Sequence, residues 1–363
     1  MTVGYHAPLP PAPTGVADYA AELLPALRGR VSVHVNAPGD IDLYHLGNNR
    51  LHRDIYTRAL ACPGVVLLHD AVLHHFLLGT LDEHAYVEEF AYNYGAWHED
   101  LARDLWRQRA RSASDPRYFE FPMLRRITES ARAVLVHNPA AAAMVRSHAP
   151  HARVVEIPHL FVRPPEPPLW ERMRLRQRLG VPDGAALFGV FGHLRESKRL
   201  MAVLRVFDRV HRENSSTALL VAGEFASADL ARAAGPLLRR PGITRAGYLS
   251  ERDFRTHAAA ADACVNLRYP SAGETSGITI RLMGAGRAVI LTASPENSRF
   301  PETACLRVDH GPAEEEMLAA SVLWLARNPS SREEIGREAS RHVASDHGVE
   351  KVADRLLILL AQS

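Results

Sequence analysis

Residues 266–281 read NLRYPSAGETSGITIR, which is the most informative strand-to-helix turn of the sequence. The stretch leaves an apolar strand, crosses a glycine-containing loop and enters a helix. Ser276 and Gly277 at the helix start offer a hydroxyl and accessible backbone N–H groups to an anion, and Glu274 could accept sugar hydroxyls. The pattern predicts a cradle for a phosphate and a sugar. The alternative is a capped helix with an exposed glutamate.

A second strand-to-helix turn lies at residues 189–199, which read GVFGHLRESKR. Lys198 is predicted beside the unpaired N–H groups and the positive end of a helix over 197–213, where a cation suits a phosphate. Ser197 is predicted to cap that helix. The alternative is a solvated helix start without a ligand.

A proline-rich third turn, YHAPLPPAPTG at residues 5–15, brings Gly15 to a helix start, where glycine permits close approach of a diphosphate. Thr14 is predicted to cap this helix, and Asp18 favours its positive end.

Short apolar runs alternate with amphipathic helical stretches along the whole chain, which predicts an α/β fold of two Rossmann-like doubly wound domains facing a central cleft. Four prolines in the stretch 162–169 mark the domain boundary. The predicted domains are 1–163, 164–345, and a C-terminal helix at 346–363 that packs back on the first domain. The predicted strands are 31–35, 43–46, 64–68, 133–137, 185–191, 218–222, 242–247, 263–267 and 288–292.

Composition excludes several protein classes. With 363 residues, 47% hydrophobic and 23% charged, the chain resembles ordinary globular proteins and not fibres or disordered chains. A net charge of +2 gives no field for bulk nucleic-acid binding. The three cysteines lack the spacing of a zinc site or a redox pair. No signal segment or long apolar run is present, which predicts a cytoplasmic protein.

The order of these turns resembles glycosyltransferase family 4, a GT-B family of retaining enzymes. The resemblance covers nearly the whole chain, and it also includes the pair His69 and Asp70 after a buried strand. Its most specific part is the stretch 273–277 followed by AGRAVI at 285–290.

The resemblance implies a role for each matching residue. Glu274 and Lys198 are implied to be catalytic together with His69, which faces the reacting sugar. The implied diphosphate ligands are Gly15, His193, Lys198, Ser276 and Gly277; the implied sugar ligands are His69, Glu274 and Thr275; and Tyr248 and Leu249 are implied to flank the base.

Two positions depart from the family pattern. His193 stands where the family usually has an arginine, so the diphosphate depends more on Lys198. Leu282 stands where the family has a second glutamate, which normally binds the ribose.

The implied activity is transfer of a hexose-type sugar from a UDP- or GDP-sugar to a hydroxyl acceptor, without a metal and without a cofactor. The alternatives are a nucleotide-sugar epimerase or hydrolase of the same fold and a non-catalytic sugar-nucleotide-binding protein. A dinucleotide-dependent oxidoreductase also fits the alternation of strands and helices, but the chain lacks the GxGxxG fingerprint.

Two further features of the sequence have both a functional and a purely structural interpretation. His69, His74 and His75 could suggest zinc, but helical spacing separates the last two by about 100°, and a sugar contact by His69 is the favoured interpretation. The segment 103–132 carries eight arginines against four acidic residues. It could make weak peripheral contact with an anionic membrane or dock an acidic acceptor. The favoured interpretation is a solvated helix face. No nucleic-acid partner is predicted.

Overall fold

The computed structural model describes residues 1–363, which form two compact units. Unit 1 comprises Met1–Val162, Pro270–Thr275 and His347–Ser363. Unit 2 comprises Arg163–Tyr269 and Ser276–Asp346. The short segment Pro270–Thr275 therefore belongs to the first unit, although it lies within the sequence of the second.

The sheet of unit 1 has six parallel strands in the order β2-β1-β3-β4-β5-β6. Its strands are β1 (Thr2–His6), β2 (Ser32–Val35), β3 (Ile41–Leu46), β4 (Val65–Leu68), β5 (Ala133–Val136) and β6 (Val154–Glu156). Its first eight helices are α1 (Gly15–Arg28), α2 (Arg53–Ala61), α3 (His74–Thr80), α4 (Glu83–Tyr94), α5 (Glu99–Gln108), α6 (Arg117–Glu120), α7 (Arg125–Ser130) and α8 (Pro139–His148).

Unit 2 has a second sheet of six parallel strands, in the order β12-β11-β10-β7-β8-β9. Its strands are β7 (Ala186–Phe191), β8 (Thr217–Ala222), β9 (Ile243–Ala246), β10 (Ala263–Asn266), β11 (Ala288–Thr292) and β12 (Leu306–Val308). Its helices are α9 (Leu169–Arg178), α10 (Leu200–Glu213), α11 (Ala228–Leu238), α12 (Glu251–Ala260), α13 (Gly277–Gly284), α14 (Glu314–Arg327) and α15 (Pro329–Asp346). The last helix of the chain, α16 (Val349–Ala361), belongs to unit 1.

Burial explains why these segments become parallel strands. β4 and β5, with sequences VVLL and AVLV, are buried at every position, as expected for strands covered on both faces. Val65 and Leu67 pack with residues of α1 and α16, whereas Val66 and Leu68 pack with residues of α2 to α4 on the other face. The two parallel sheets with flanking helices confirm the predicted α/β class.

Local signals of the sequence set several element ends. Thr14 caps α1 as predicted, since its side chain accepts a hydrogen bond from the Val16 N–H, and Asp18 lies in the first turn. The predicted helix start at Ser197 was wrong. Residues Glu196–Lys198 form a separate 3-10 turn, and Arg199 has a left-handed backbone conformation (φ 55°), so α10 begins only at Leu200.

Candidate functional site

The order of the unit 2 sheet indicates where a ligand would bind. Counted from β7, the strands follow the order 3-2-1-4-5-6 of dinucleotide-binding folds, whose switch point lies between the first and fourth strands. In this chain those strands are β7 and β10. The turns that follow them contain Lys198 and Ser276, so both predicted phosphate-binding turns leave the strands that flank the switch point.

The turn after β7 requires glycine at its first position. Gly192 has φ 85°, and a Cβ atom there would approach the Lys198 Nζ to 3.0 Å. Its N–H donates to the Ala222 carbonyl at the end of β8 (3.0 Å). The backbone of the turn is therefore held against the neighbouring strand.

Lys198 is buried, with 8% of its surface exposed, at the end of the 3-10 turn. Its Nζ donates a hydrogen bond to the Phe191 carbonyl, the last of β7, at 2.7 Å. An ammonium group held at the carboxyl end of a central strand is fixed in place before any ligand arrives. Such a cation suits an anion that binds at the switch point.

His193 follows Gly192, and its surroundings lower its pKa. Partial desolvation lowers its pKa most, and the neighbouring cations Arg195 and Lys198 lower the pKa further. Glu224 opposes the shift. A bound diphosphate would raise this pKa, because it adds negative charge beside the ring.

The turn after β10 presents the N-terminus of α13. Ser276 caps the helix, and its Oγ accepts hydrogen bonds from the Thr279 N–H (3.3 Å), the Asn266 amide (2.8 Å) and the Arg268 guanidinium (3.3 Å). Since Oγ has two lone pairs, these three donors share its acceptor capacity. Gly277 is the first residue of the helix.

Two residues of this turn were not assigned a role from the sequence. Arg268 is a half-buried cation whose guanidinium lies beside the cap of α13. Asn266, the last residue of β10, is 6% exposed and fixes Ser276. The signal that could have identified both is their position, since they end or follow a fully buried strand next to the switch point.

Glu274 and Thr275 lie in the loop Pro270–Thr275 of unit 1. The Glu274 Oε2 accepts a hydrogen bond from the Ala272 N–H (2.7 Å) and one from the Ser271 hydroxyl (3.3 Å). The carboxylate therefore shapes its own loop, in addition to any contact with a ligand. Its assignment to sugar hydroxyls stays a prediction.

Unit 1 holds this loop through Ala71 and Asn138, which sequence reasoning missed. The Ala71 N–H donates to the Ala272 carbonyl at 2.8 Å. The buried Asn138 caps α8, and its amide donates to the Gly273 carbonyl (2.9 Å) and the Thr275 hydroxyl (3.1 Å). Gly273 has φ 73°, and a Cβ there would lie 2.8 Å from that of Ala71. Asn138 is therefore a positioning residue for the Glu274 loop.

His69 lies in the middle of an imidazole chain formed by His45, His69 and His137. The His69 Nε2 is 3.1 Å from the His45 Nδ1, and the His69 Nδ1 is 3.2 Å from the His137 Nε2. The strand register creates the chain, because Leu46 of β3 pairs with Leu68, which pairs with Val136, so all three rings share one sheet face.

The chain has one consistent set of tautomers. The His137 Nδ1 lies 3.1 Å from the Ile157 carbonyl and must donate to it, which leaves Nε2 as an acceptor. His69 and then His45 must therefore also carry their protons on Nδ1. Burial lowers the pKa of His137 to about 4 and, with neighbouring histidines, that of His45 to about 3 and that of His69 well below its usual value.

This arrangement restricts the predicted role of His69. Both ring nitrogens have imidazole partners, and 8% of the residue is exposed. Contact between the ring and a sugar hydroxyl would require one of those partners to be exchanged. Across the whole chain, no group of three or more His, Cys, Asp or Glu side chains is placed to hold a metal ion.

Gly15 is the first residue of α1 and is exposed. A Cβ atom built on it would meet no atom within 4 Å. The N-terminus of α1 is therefore open to a ligand, and the fold itself does not require glycine at this position.

The predicted base-flanking residues lie between β9 and α12. Tyr248 is 78% exposed, and its N–H donates to the Glu224 Oε1 at 2.8 Å, whereas Leu249 is half-buried. Leu282 in α13 has no exposed surface and packs in the core. It therefore offers neither a polar atom nor accessible surface to a ribose.

The arginines of segment 103–132 are partly neutralised within unit 1. Arg103 pairs with Glu99 and Asp100, and Arg117 pairs with Asp104 and Asp115. Arg125 and Arg126 pair with Glu129 and Glu89. Contact with a membrane surface or an acidic acceptor stays a prediction. None of the helices is both long enough and apolar enough to cross a bilayer.

Comparison with known proteins identifies the fold. No protein-family model and no curated protein sequence matches the chain. The structure matches Anabaena HepE in complex with UDP-glucose, with a TM-score of 0.68 and 13% identity over 100% of both chains. It matches sucrose-phosphate synthase from Thermosynechococcus elongatus with a TM-score of 0.70 and 14% identity, over 100% of this chain and 98% of that one.

A third similar structure is WaaG, a glycosyltransferase involved in lipopolysaccharide biosynthesis, with a TM-score of 0.61 and 14% identity over 99% of this chain and 100% of that one. The predicted GT-B architecture, two doubly wound α/β units in one chain, is thereby confirmed. At these identities the likeness concerns the fold alone.

Proposed function

We propose that this protein is a retaining glycosyltransferase resembling family 4, which transfers a hexose-type sugar from a UDP- or GDP-sugar to a hydroxyl acceptor. The observation that carries the proposal is the pair of anion-binding turns after β7 and β10 at the switch point of unit 2. The solved structures similar in fold support the same class, since HepE is bound to UDP-glucose. Unit 2 then supplies the two phosphate-binding turns, and unit 1 serves the acceptor.

Each group of the donor has proposed ligands. Lys198, Ser276, Gly277 and Gly15 bind the diphosphate together with His193, and we add Arg268, whose guanidinium lies at the cap of α13. Glu274, Thr275 and His69 serve the sugar. Tyr248 and Leu249 flank the base.

In the chemical step, the protein stabilises the negative charge that develops on the leaving group. Departure of the nucleoside diphosphate places negative charge on the β-phosphate, and Lys198, Arg268 and the N-terminus of α13 stabilise that charge. The acceptor hydroxyl attacks from the face that the leaving group vacates, and its proton passes to a phosphate oxygen. These protein cations supply the positive charge, so we propose that the reaction needs no divalent metal.

A panel of UDP- and GDP-sugars tests the proposal. We expect one of them to raise the melting temperature, because a ligand that binds only the folded state stabilises that state. With that donor, nucleotide release should depend on a hydroxyl acceptor and persist in EDTA. Release without acceptor would indicate the epimerase or hydrolase alternative. Binding without turnover would indicate a non-catalytic protein, and loss of activity in EDTA that a divalent ion restores would refute metal independence.

A further inference from the structure

Unit 2 has no ribose ligand at the position where the family pattern provides one. Leu282 has no exposed surface, and its aliphatic side chain cannot accept a hydrogen bond. A ribose presents two hydroxyls, which need acceptors when they leave water. If the nucleotide binds to unit 2 as proposed above, these hydroxyls need an acceptor other than the Leu282 side chain.

Glu224 lies beside the turn that contains His193. It follows Gly223 at the carboxyl end of β8, the strand next to β7. The Leu194 N–H donates to the Glu224 carbonyl at 2.8 Å. A Cβ on Gly223 would lie 2.1 Å from the Gly192 carbonyl oxygen, so the backbones of the two turns are in direct contact.

The side chain of Glu224 extends to the segment predicted to flank the base. Its Oε1 accepts the Tyr248 N–H at 2.8 Å, and a Cβ on Gly247 would lie 3.2 Å from the same oxygen. Glu224 is exposed, so its carboxylate is accessible to a ligand. One side chain thus connects the phosphate-binding turn with the base-flanking segment.

We propose that Glu224 accepts the ribose hydroxyls of the nucleotide, in place of the glutamate that Leu282 replaces. The ribose joins the base to the diphosphate, and Glu224 joins the protein segments assigned to those two groups. An ionised carboxylate has about four acceptor positions, and the Tyr248 N–H uses one of them. This inference rests on the proposed function of unit 2.

Calorimetry with matched nucleotides tests the contact. The probes are UDP and GDP and the 2′-deoxy and 3′-deoxy forms of each. A charge-assisted hydrogen bond corresponds to about a 10- to 100-fold difference in Kd. We expect the wild-type protein to prefer a ribonucleotide over a deoxy form by about that factor, and Glu224→Ala to bind both with similar Kd values.

Two further variants separate ribose binding from a structural role. Glu224→Gln keeps a carbonyl oxygen for the Tyr248 N–H but loses the charge, so its preference for the ribonucleotide should fall while its melting temperature stays near wild type. Glu316→Ala removes a 73% exposed carboxylate at the start of α14 and should leave the preference unchanged.

The outcomes distinguish this inference from the proposed function. If the wild type binds UDP or GDP but Glu224→Ala keeps the full preference for the ribonucleotide, Glu224 does not contact the ribose and the inference is overturned, while the nucleotide site stands. A wild type that does not discriminate ribonucleotide from deoxynucleotide also overturns the inference. If no nucleotide binds the wild type, the proposed function fails and the inference fails with it.

Discussion

At the scale of single residues, Lys198 differs from an ordinary surface lysine. It is 8% exposed, and its Nζ is fixed on the Phe191 carbonyl at 2.7 Å. Desolvating an ammonium group costs free energy, which a ligand with negative charge can offset. A preorganised cation of this kind acts on charge that develops in the transition state.

We expect Lys198→Ala to lower kcat by about a hundredfold or more, which is the effect typical of removing one preorganised electrostatic group. Lys351, the only other lysine, is exposed on α16, so Lys351→Ala serves as the matched control. Melting temperatures of both variants are measured as well, because Lys198→Ala also removes a donor from Phe191. Turnover near that of the wild type would refute the assignment of Lys198.

Glu274 has a structural contact and a proposed ligand contact, and substitution can separate them. In Glu274→Gln the side-chain carbonyl oxygen can still accept the Ala272 N–H, so the loop should keep its shape. Loss of the charge weakens hydrogen bonds to sugar hydroxyls by roughly 1.5 to 3 kcal/mol each. Turnover should therefore fall by about tenfold or more, while the Kd for the free nucleoside diphosphate stays within a few-fold of the wild type.

Two results would contradict this assignment. Abolished nucleotide binding in Glu274→Gln, seen by calorimetry, would make Glu274 a ribose ligand or a structural residue. Normal sugar transfer by the variant would instead remove the loop Pro270–Thr275 from the donor site.

At the scale of elements, the N-terminus of α1 carries a glycine that the helix does not need. An alanine methyl at Gly15 would meet no protein atom within 4 Å, and alanine favours the helix more than glycine does. The fold of Gly15→Ala should be intact. A methyl group at this position would hinder a diphosphate that approaches the backbone, so we expect the Kd for the nucleoside diphosphate to rise about tenfold, the loss of one hydrogen bond.

The other end of α1 supplies the control for this prediction. Gly29 has φ −68°, and a Cβ there would meet only atoms at 3.7 Å, an ordinary contact distance. Gly29→Ala should change neither the melting temperature nor the Kd. Equal nucleotide affinity in Gly15→Ala and the wild type would show that the diphosphate does not approach α1.

At the scale of the whole molecule, the fold was accessible from the sequence because parallel strands covered on both faces are apolar at every position. Runs such as VVLL and AVLV, separated by helical stretches, permit few other folds. The turns with Lys198 and Ser276 were also accessible, since their glycines, cap and strand ends lie close together in sequence.

The features that the sequence did not predict depend mainly on contacts between segments that are distant in sequence. Asn138 holds a carbonyl 135 residues away, and His137 meets a ring 68 residues away. No local sequence pattern predicts either contact. The start of α10 was missed because Arg199 adopts a left-handed conformation that nothing in its residue type requires. The sequence does not indicate the role of Arg268 or Asn266, because that role depends on which strand lies next to β7.

The distribution of buried histidines predicts how acid affects each unit. Burial lowers the pKa of His45 and His74 to about 3 and of His52 and His137 to about 4, and all four belong to unit 1. In the unfolded chain these rings have a pKa of about 6.5. Between these values the unfolded state binds more protons than the folded state. Stability is therefore retained above about pH 6.5 and lost as pH falls towards 4.

Tryptophan fluorescence can report the two units separately. Trp97 and Trp106 lie in unit 1, and Trp170 and Trp324 lie in unit 2. Replacing either pair by phenylalanine leaves reporters in one unit only. Urea unfolding of both double variants, at several pH values from 7 to 4.5, then measures the pH dependence of each unit.

We expect the unit 1 reporters to show the steeper loss of stability in acid. Each buried neutral histidine contributes up to about 1.4 kcal/mol per pH unit within the window. In unit 2, the histidines with lowered pKa values are His193 and His342. Replacing His84, an exposed residue of α4, by asparagine should leave the slope unchanged, whereas His45→Phe, which removes one titrating ring, should flatten it. Equal slopes in both units would mean that the pKa values of these buried histidines are not lowered in the folded protein, and the prediction would then be wrong.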